Sequence, residues 1–308
     1  MAVLTPHPPT RPPTSEARPS SPRHALAPRR RSRTAVLVAA AIGFAGAFVV
    51  AYLLFVRTEA GQRAEDGVVR FAQNLPRSTV DWARPLAGVD GVEVFGAAGI
   101  VIVALAVLRK RFALGVTALV LYLLPLAAAQ LLKIYLLDRP DVGSAGAPHH
   151  NSFPSGHVSA ATAVLLALAV VLPARFRTWV LVVGAPGVAW VAAATVALSW
   201  HRLSDTVGAC LLVAAVVSAG AAVVSARRPD GGRIPPVLTA VALLGPVAGV
   251  LGGYAVLASA TSVPARFIAA LVLAALSAMA VVLLAAGPLR RVNFDPSGAR
   301  NRLCAGER

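Results

Sequence analysis

Two histidines, a carboxylate, a serine and two cations sit where apolar runs of this 308-residue chain meet polar turns. The stretch Asn151-Ser152-Phe153-Pro154-Ser155-Gly156-His157 is answered, 44 residues beyond His157, by Trp200-His201-Arg202-Leu203-Ser204-Asp205. Lys133 and Arg139-Pro140 lie upstream. If 201–205 is helical, His201 and Asp205 fall one turn apart on one face. The carboxylate then holds one ring nitrogen as N–H and leaves the other free as a nucleophile. Phosphoryl transfer asks beyond that for positioning and for cations around the equatorial oxygens, which Lys133 and Arg139 supply. Pro154-Ser155-Gly156 at a helix start offers a hydroxyl and exposed backbone N–H groups to an anion. His157 is left to protonate the leaving oxygen and then to activate water.

The elements that must carry these groups are membrane helices. The chain is 57% hydrophobic and 14% charged, too little charge to cover a water-soluble surface. A helix crosses the hydrocarbon core with about 20 apolar residues. Eight runs approach that length: 35–56, 91–108, 112–136, 156–172, 178–200, 205–226, 237–260 and 267–289. They are continuous in Ala, Val and Leu, without the alternation of a membrane β-barrel. The expected fold is therefore all-α, a polytopic transmembrane helix bundle.

A net charge of +16 would suggest nucleic acid in a soluble protein, but its placement argues otherwise. The segments 1–34, 109–111, 175–177, 227–233 and 290–308 hold 20 of the 29 cations. Threading eight spans puts them all on one side, which the positive-inside rule makes cytoplasmic. Both termini are then expected in the cytoplasm and the reactive groups at the extracytoplasmic ends. Nucleic acid is not an expected partner; the bilayer and a membrane lipid are.

Residues 1–34 carry eight Pro and seven Arg with no apolar period, the composition of a disordered basic tail. The first run is too long for a cleaved signal and reads as a retained anchor. The segment 57–90, with five Arg and five acids, reads as a loop that could lie along the outer membrane surface. Gly43, Gly46, Gly184, Gly187, Gly252 and Gly253 suit close helix packing. Cys210 and Cys304 fall in a span and in the tail, so no disulfide is expected.

Rival chemistries fit less well. His149, His150, His157 and Asp141 could gather a metal, but their spacing matches no ordered site such as HExxH. Ser155 lacks the G-x-S-x-G flanks of a serine hydrolase.

These residues resemble the type 2 phosphatidic acid phosphatase superfamily, whose motifs are K-x6-R-P, P-S-G-H and S-R-x5-H-x3-D. Pro154-Ser155-Gly156-His157 matches the second motif in full, and His201 with Asp205 matches the end of the third. The resemblance spans about 35–226 and implies a six-helix core, with 227–289 as two additional spans and 290–308 as a cytoplasmic tail. It implies a phosphohistidine at His201, oriented by Asp205, with His157 as acid and base. Lys133, Arg139, Ser155 and Gly156 would hold the phosphate, with no metal or other cofactor. Two departures stand out. Five residues rather than six separate Lys133 from Arg139, and the Ser-Arg of the third motif falls at Ala194-Thr195. Arg202, beside the nucleophile, is the candidate to replace that arginine as a substrate-binding residue.

The expected function is an integral membrane phosphatase acting on a lipid phosphate or pyrophosphate, of polyprenyl pyrophosphate or phosphatidate type. The Ala-, Val- and Arg-rich composition suggests a bacterial cytoplasmic membrane. The alternatives are a non-catalytic lipid-phosphate-binding protein and a phosphotransferase using the same histidine.

Overall fold

The computed structural model describes residues 31–88, 91–142, 151–227, 233–290, 292 and 294. The calls on the basic tail before residue 31 and on His149 and His150 lie outside those residues.

Helix follows helix: α1 (Arg33–Ala51), α2 (Glu59–Gln73), α3 (Gly91–Leu108), α4 (Phe112–Leu131), α5 (Gly156–Val171), α6 (Ala174–Ala197), α7 (Leu203–Ala226), α8 (Pro236–Ser259) and α9 (Val263–Leu289). A two-residue antiparallel ladder, Arg31–Ser32 with Ile234–Arg233, is the sole strand pairing among the described residues. The fold is all-helical, as the apolar runs require. α1, α4, α6, α7, α8 and α9 supply six helices long and apolar enough to cross a membrane. α3 and α5 are shorter apolar helices. This set is that of a multi-pass membrane protein.

α5 is central rather than peripheral. It packs on α3, α4, α6, α7 and α9, and Val158, Ala160, Ala163, Leu166 and Ala167 have no exposure at all. At about 1.5 Å per residue it spans only about 24 Å, shorter than the six long helices around it. Outward-facing Ile100, Val116, Leu131, Val183 and Ile268 are exposed, the inverted pattern of a bundle solvated by lipid chains.

α8 and α9 are woven into the bundle: α8 packs on α1, and α9 on α6 and α7. At Gly43 a Cβ would lie 2.3 Å from the Ala242 carbonyl oxygen, so this close approach of α1 and α8 needs glycine. Gly187 and Gly252, by contrast, face open space.

The segment 57–90 departs from the loop reading. Thr58 caps α2 by accepting from the Gly61 N–H at 3.1 Å, and a 3₁₀ helix follows at Arg77–Leu86. Gln62, Glu65 and Asp66, which dilute its apolar pattern, are buried against the bundle end, while Arg63 and Arg70 are exposed. α1 and α4 each finish in a single π turn, Tyr52–Val56 and Leu132–Leu136, at that same end. Such turns often mark functional sites.

The opposite end is cationic. Arg109 bonds the Val171 carbonyl, and Arg177 reaches the carbonyls of Leu172 at 3.3 Å and of Arg290 and Val292 at 3.4 Å.

Candidate active site

Four helix ends deliver the site. The C-terminus of α4, the N-terminus of α5, the C-terminus of α6 and the N-terminus of α7 meet at one end of the bundle. The Ser155 N–H donates to the Asp205 carbonyl at 2.9 Å, tying the start of α5 to the start of α7. Phe153 anchors the intervening loop. Its buried ring sits 5.1 Å from Phe48 and 5.6 Å from Tyr52, centroid to centroid, and lies over Gly208, where a Cβ would come within 2.4 Å of it. Asn151 closes the loop by donating to the Leu137 carbonyl at 2.8 Å and accepting from the Phe153 N–H at 3.1 Å.

His201 is not in a helix, contrary to the condition placed on its spacing. α7 begins at Leu203, with Arg202 extended at its N-cap (φ −84°, ψ 165°). His201 and Asp205 still meet, because the carboxylate folds back over the cap. Its Oδ2 accepts from the Arg202 N–H at 2.9 Å and from the Ser152 hydroxyl at 2.6 Å, and lies 3.4 Å from His201 Nδ1. The capping need of α7 and the orientation of the imidazole are therefore met by one group. Nδ1 is thus the ring nitrogen turned to the carboxylate.

α6 supplies the other support. It ends with Ser199 at φ 57°, in the left-handed region, which folds the chain back on itself. The Trp200 and His201 N–H groups both donate to the Thr195 carbonyl, at 3.0 and 3.2 Å. The Thr195 side chain is fully buried and bonds the Ala192 carbonyl at 2.9 Å.

The other predicted residues fall as follows. The ring of His157 lies 6.3 Å from that of His201, edge to face, and 5.5 Å from that of Trp200, centroid to centroid. Ser155 caps α5, accepting from the Val158 N–H at 3.4 Å, and has no exposure. Gly156 opens the helix, where first-turn N–H groups have no intrahelical acceptor. Lys133 is half-buried, within electrostatic reach of Asp205 and His157. Arg139 Nη2 lies 3.4 Å from Asp205 Oδ1, its side chain only 3% exposed. Its Nε and Nη1 are buried with no hydrogen-bond partner among the described residues.

Arg202 is engaged elsewhere. Its Nε and Nη2 meet Asp66 Oδ1 at 2.8 Å, and Nη1 reaches Ser152 at 3.4 Å. Among the described residues, no group of three His, Cys, Asp or Glu is placed to hold a metal ion.

Sequence reasoning missed Ser152 and the inner face of α2. Gln62, Glu65 and Asp66 are buried beside the site. The available signal was a Thr58 cap followed by apolar Ala64, Val68, Val69 and Ala72 at helical spacing, with polar residues inside the same face. Outside the spans, Asp138 receives the Tyr52 hydroxyl and pairs with Arg57, and both hold its carboxyl below the usual range.

Glu65 moves the opposite way. Burial, opposed by Arg139 and reinforced by Asp205, pushes its carboxyl up from 4.5 to about 7. The unfolded chain gives up this proton near 4.5 and the folded chain keeps it to about 7. Stability is therefore expected to fall as pH rises through that window, because the native state binds more protons there. Thermal melts from pH 5 to 8 should decline for the wild type, and Glu65→Gln should flatten the decline. An unchanged slope would assign the pH dependence to other groups.

Residues 115–229 match the PAP2 superfamily, whose members are phosphatases acting on lipid phosphates. No curated protein and no solved structure matches the chain. Lys133, Arg139, Ser155, Gly156, His157, His201 and Asp205 all lie inside the matched segment. Over residues 115–229, this membrane-spanning chain is similar to the PAP2 superfamily.

Proposed function

We propose that the protein hydrolyses a lipid phosphate or pyrophosphate at the extracytoplasmic face through a phosphohistidine on His201. The observation that carries this reading is Arg139. A guanidinium that buries Nε and Nη1 without partners among the described residues bears a desolvation cost that a bound oxyanion would offset. In the reaction, His201 Nε2 attacks phosphorus, forming an N–P bond as the ester or anhydride P–O bond breaks. His157 gives its proton to the departing oxygen. It then takes a proton from water, whose oxygen attacks phosphorus and breaks the N–P bond. Asp205 stays ionised and balances the positive imidazole. Lys133 and Arg139 meet the equatorial oxygens.

Two features support a lipid over a soluble ester. An apolar cavity of about 270 Å³ lies between α7, α8 and α9, and Leu203, two residues from His201, lines it with Phe55 and Val207. The site itself lies at the end of a lipid-facing bundle. The cationic cluster at the other end supports an extracytoplasmic placement.

The test is phosphate release by detergent-purified protein from polyprenyl pyrophosphate, phosphatidate and a water-soluble ester, with a chelator present. Rapid quenching with labelled substrate should trap label that survives alkali and is lost in acid. A soluble ester turned over as fast as any lipid would overturn the lipid assignment.

Thr195 favours a second reading. The position of the family arginine is filled by a buried residue bonded to its own helix, and Arg202 is held by Asp66. That leaves Lys133 and Arg139 to bind a lipid phosphate without turning it over. Lipid binding with no release from any substrate would establish that alternative.

A further inference from the structure

α2 lies outside residues 115–229, yet its inner face reaches both halves of the site. Gln62, Glu65 and Asp66 follow one another at i, i+3 and i+4 and so share one face. They are 4%, 1% and 1% exposed. A helix that only sealed the end of an apolar bundle would turn apolar side chains inward, since buried carboxylates are costly unless each is fully met. These polar groups are directed at the turns that carry the chemistry. Gln62 donates to the carbonyl of Pro140, which follows Arg139, and to that of Val56, both at 2.8 Å. Glu65 accepts from the backbone N–H of Ser204 at 2.6 Å and from its hydroxyl at 2.8 Å. Ser204 directly precedes Asp205. Asp66 takes Arg202, which directly follows His201, at 2.8 Å.

We propose that Gln62, Glu65 and Asp66 are positioning residues for the reaction, aligning the Arg139 turn with the His201–Asp205 turn from one helix. One rigid element then sets the separation between the group that grips the phosphate and the nitrogen that attacks it. None of the three touches the reacting atoms; each acts through the turn it holds. The proposal rests on the phosphatase reading above. A misplacement of about 1 Å at a reacting centre costs about 100-fold in rate, so losing one tether is expected to be felt in turnover rather than in binding.

The experiment is steady-state kinetics on the full chain in detergent, using whichever lipid phosphate the wild type hydrolyses fastest. Glu65→Ala and Gln62→Ala are expected to lower kcat about 30-fold with KM within about twofold. Glu65→Gln keeps an acceptor for the Ser204 N–H and is expected to return kcat to within about fivefold of wild type. Melting curves identify any variant that does not fold; should Glu65→Ala fail, Gln62→Ala and Glu65→Gln decide by the same criteria. A kcat within about twofold of wild type for folded Gln62→Ala and Glu65→Ala overturns the positioning role, as does a rise in KM at constant kcat. An inactive wild type overturns the phosphatase reading and takes the positioning role with it. An active wild type with indifferent α2 variants overturns the positioning role alone.

Discussion

Replacing His201 with alanine is expected to lower phosphate release by about 10⁵-fold or more, and Asp205→Asn by about 10⁴-fold. The two should not add. They act as one unit, so the double variant is predicted to be no slower than His201→Ala alone. The geometry explains why asparagine is so damaging without unfolding the site. Its oxygen would stay at the Oδ2 position, where the Arg202 N–H and the Ser152 hydroxyl converge at 2.9 and 2.6 Å. That leaves the amide NH₂ facing Arg139 Nη2, a donor against a donor, where Oδ1 now sits 3.4 Å away. The cap of α7 survives, while the charge that balances a positive or phosphorylated imidazole is gone. A loss of about 10⁴-fold corresponds to about 5.5 kcal/mol at the transition state. Initial-rate assays with matched melting curves check both numbers. A kcat within about tenfold of wild type for a folded Asp205→Asn would reduce Asp205 to a helix cap, and additive losses would mean that His201 and Asp205 work independently.

How far this site was legible depended on how strongly each segment advertised its environment. The apolar runs at 35–56, 112–136, 205–226 and 267–289 are unmistakable because lipid tolerates little else on a helix surface. Their limits are softer. The last apolar run begins at 267 in the sequence, but Ser262 starts α9 earlier by accepting from the Ala265 N–H at 3.3 Å. The pairing of His201 with Asp205 was predicted on helical spacing and arises instead from a capping turn, since a carboxylate at the third position of α7 satisfies the N-cap amide. The convergence of 133–139, 151–157 and 201–205 was readable because motif spacing and alternate threading agree. What stayed hidden was α2. The five arginines and five acids of 57–90 mask its amphipathic period, and its buried face mixes Glu65 and Asp66 with Val68 and Val69. Burial of a carboxylate cannot be read from its neighbours in sequence when the cation that meets it, Arg202, is 136 residues away.

Arg139→Met is expected to lower kcat/KM about 10³-fold while changing the melting temperature of the ligand-free protein little. The two effects separate because this guanidinium is poorly repaid in the empty site. It has one long contact, 3.4 Å to Asp205, and two buried nitrogens without partners among the described residues. Each unsatisfied donor costs about 1–3 kcal/mol, so an apolar side chain of similar length removes a penalty as well as a charge. Against that gain stands the loss of a cation near Asp205 and Glu65, and the opposition of these terms keeps the net change small. Arg139→Lys keeps the charge but not the planar fork, and is expected to recover only part of the rate. The decisive measurement is a melt with and without inorganic phosphate or vanadate. Ligand that binds only the folded state raises the melting temperature in proportion to its occupancy. The wild type should show that rise, and Arg139→Met should show none. An undiminished rise in Arg139→Met would place the anion elsewhere, on Lys133 and the start of α5, and would remove the observation on which the phosphatase reading most depends.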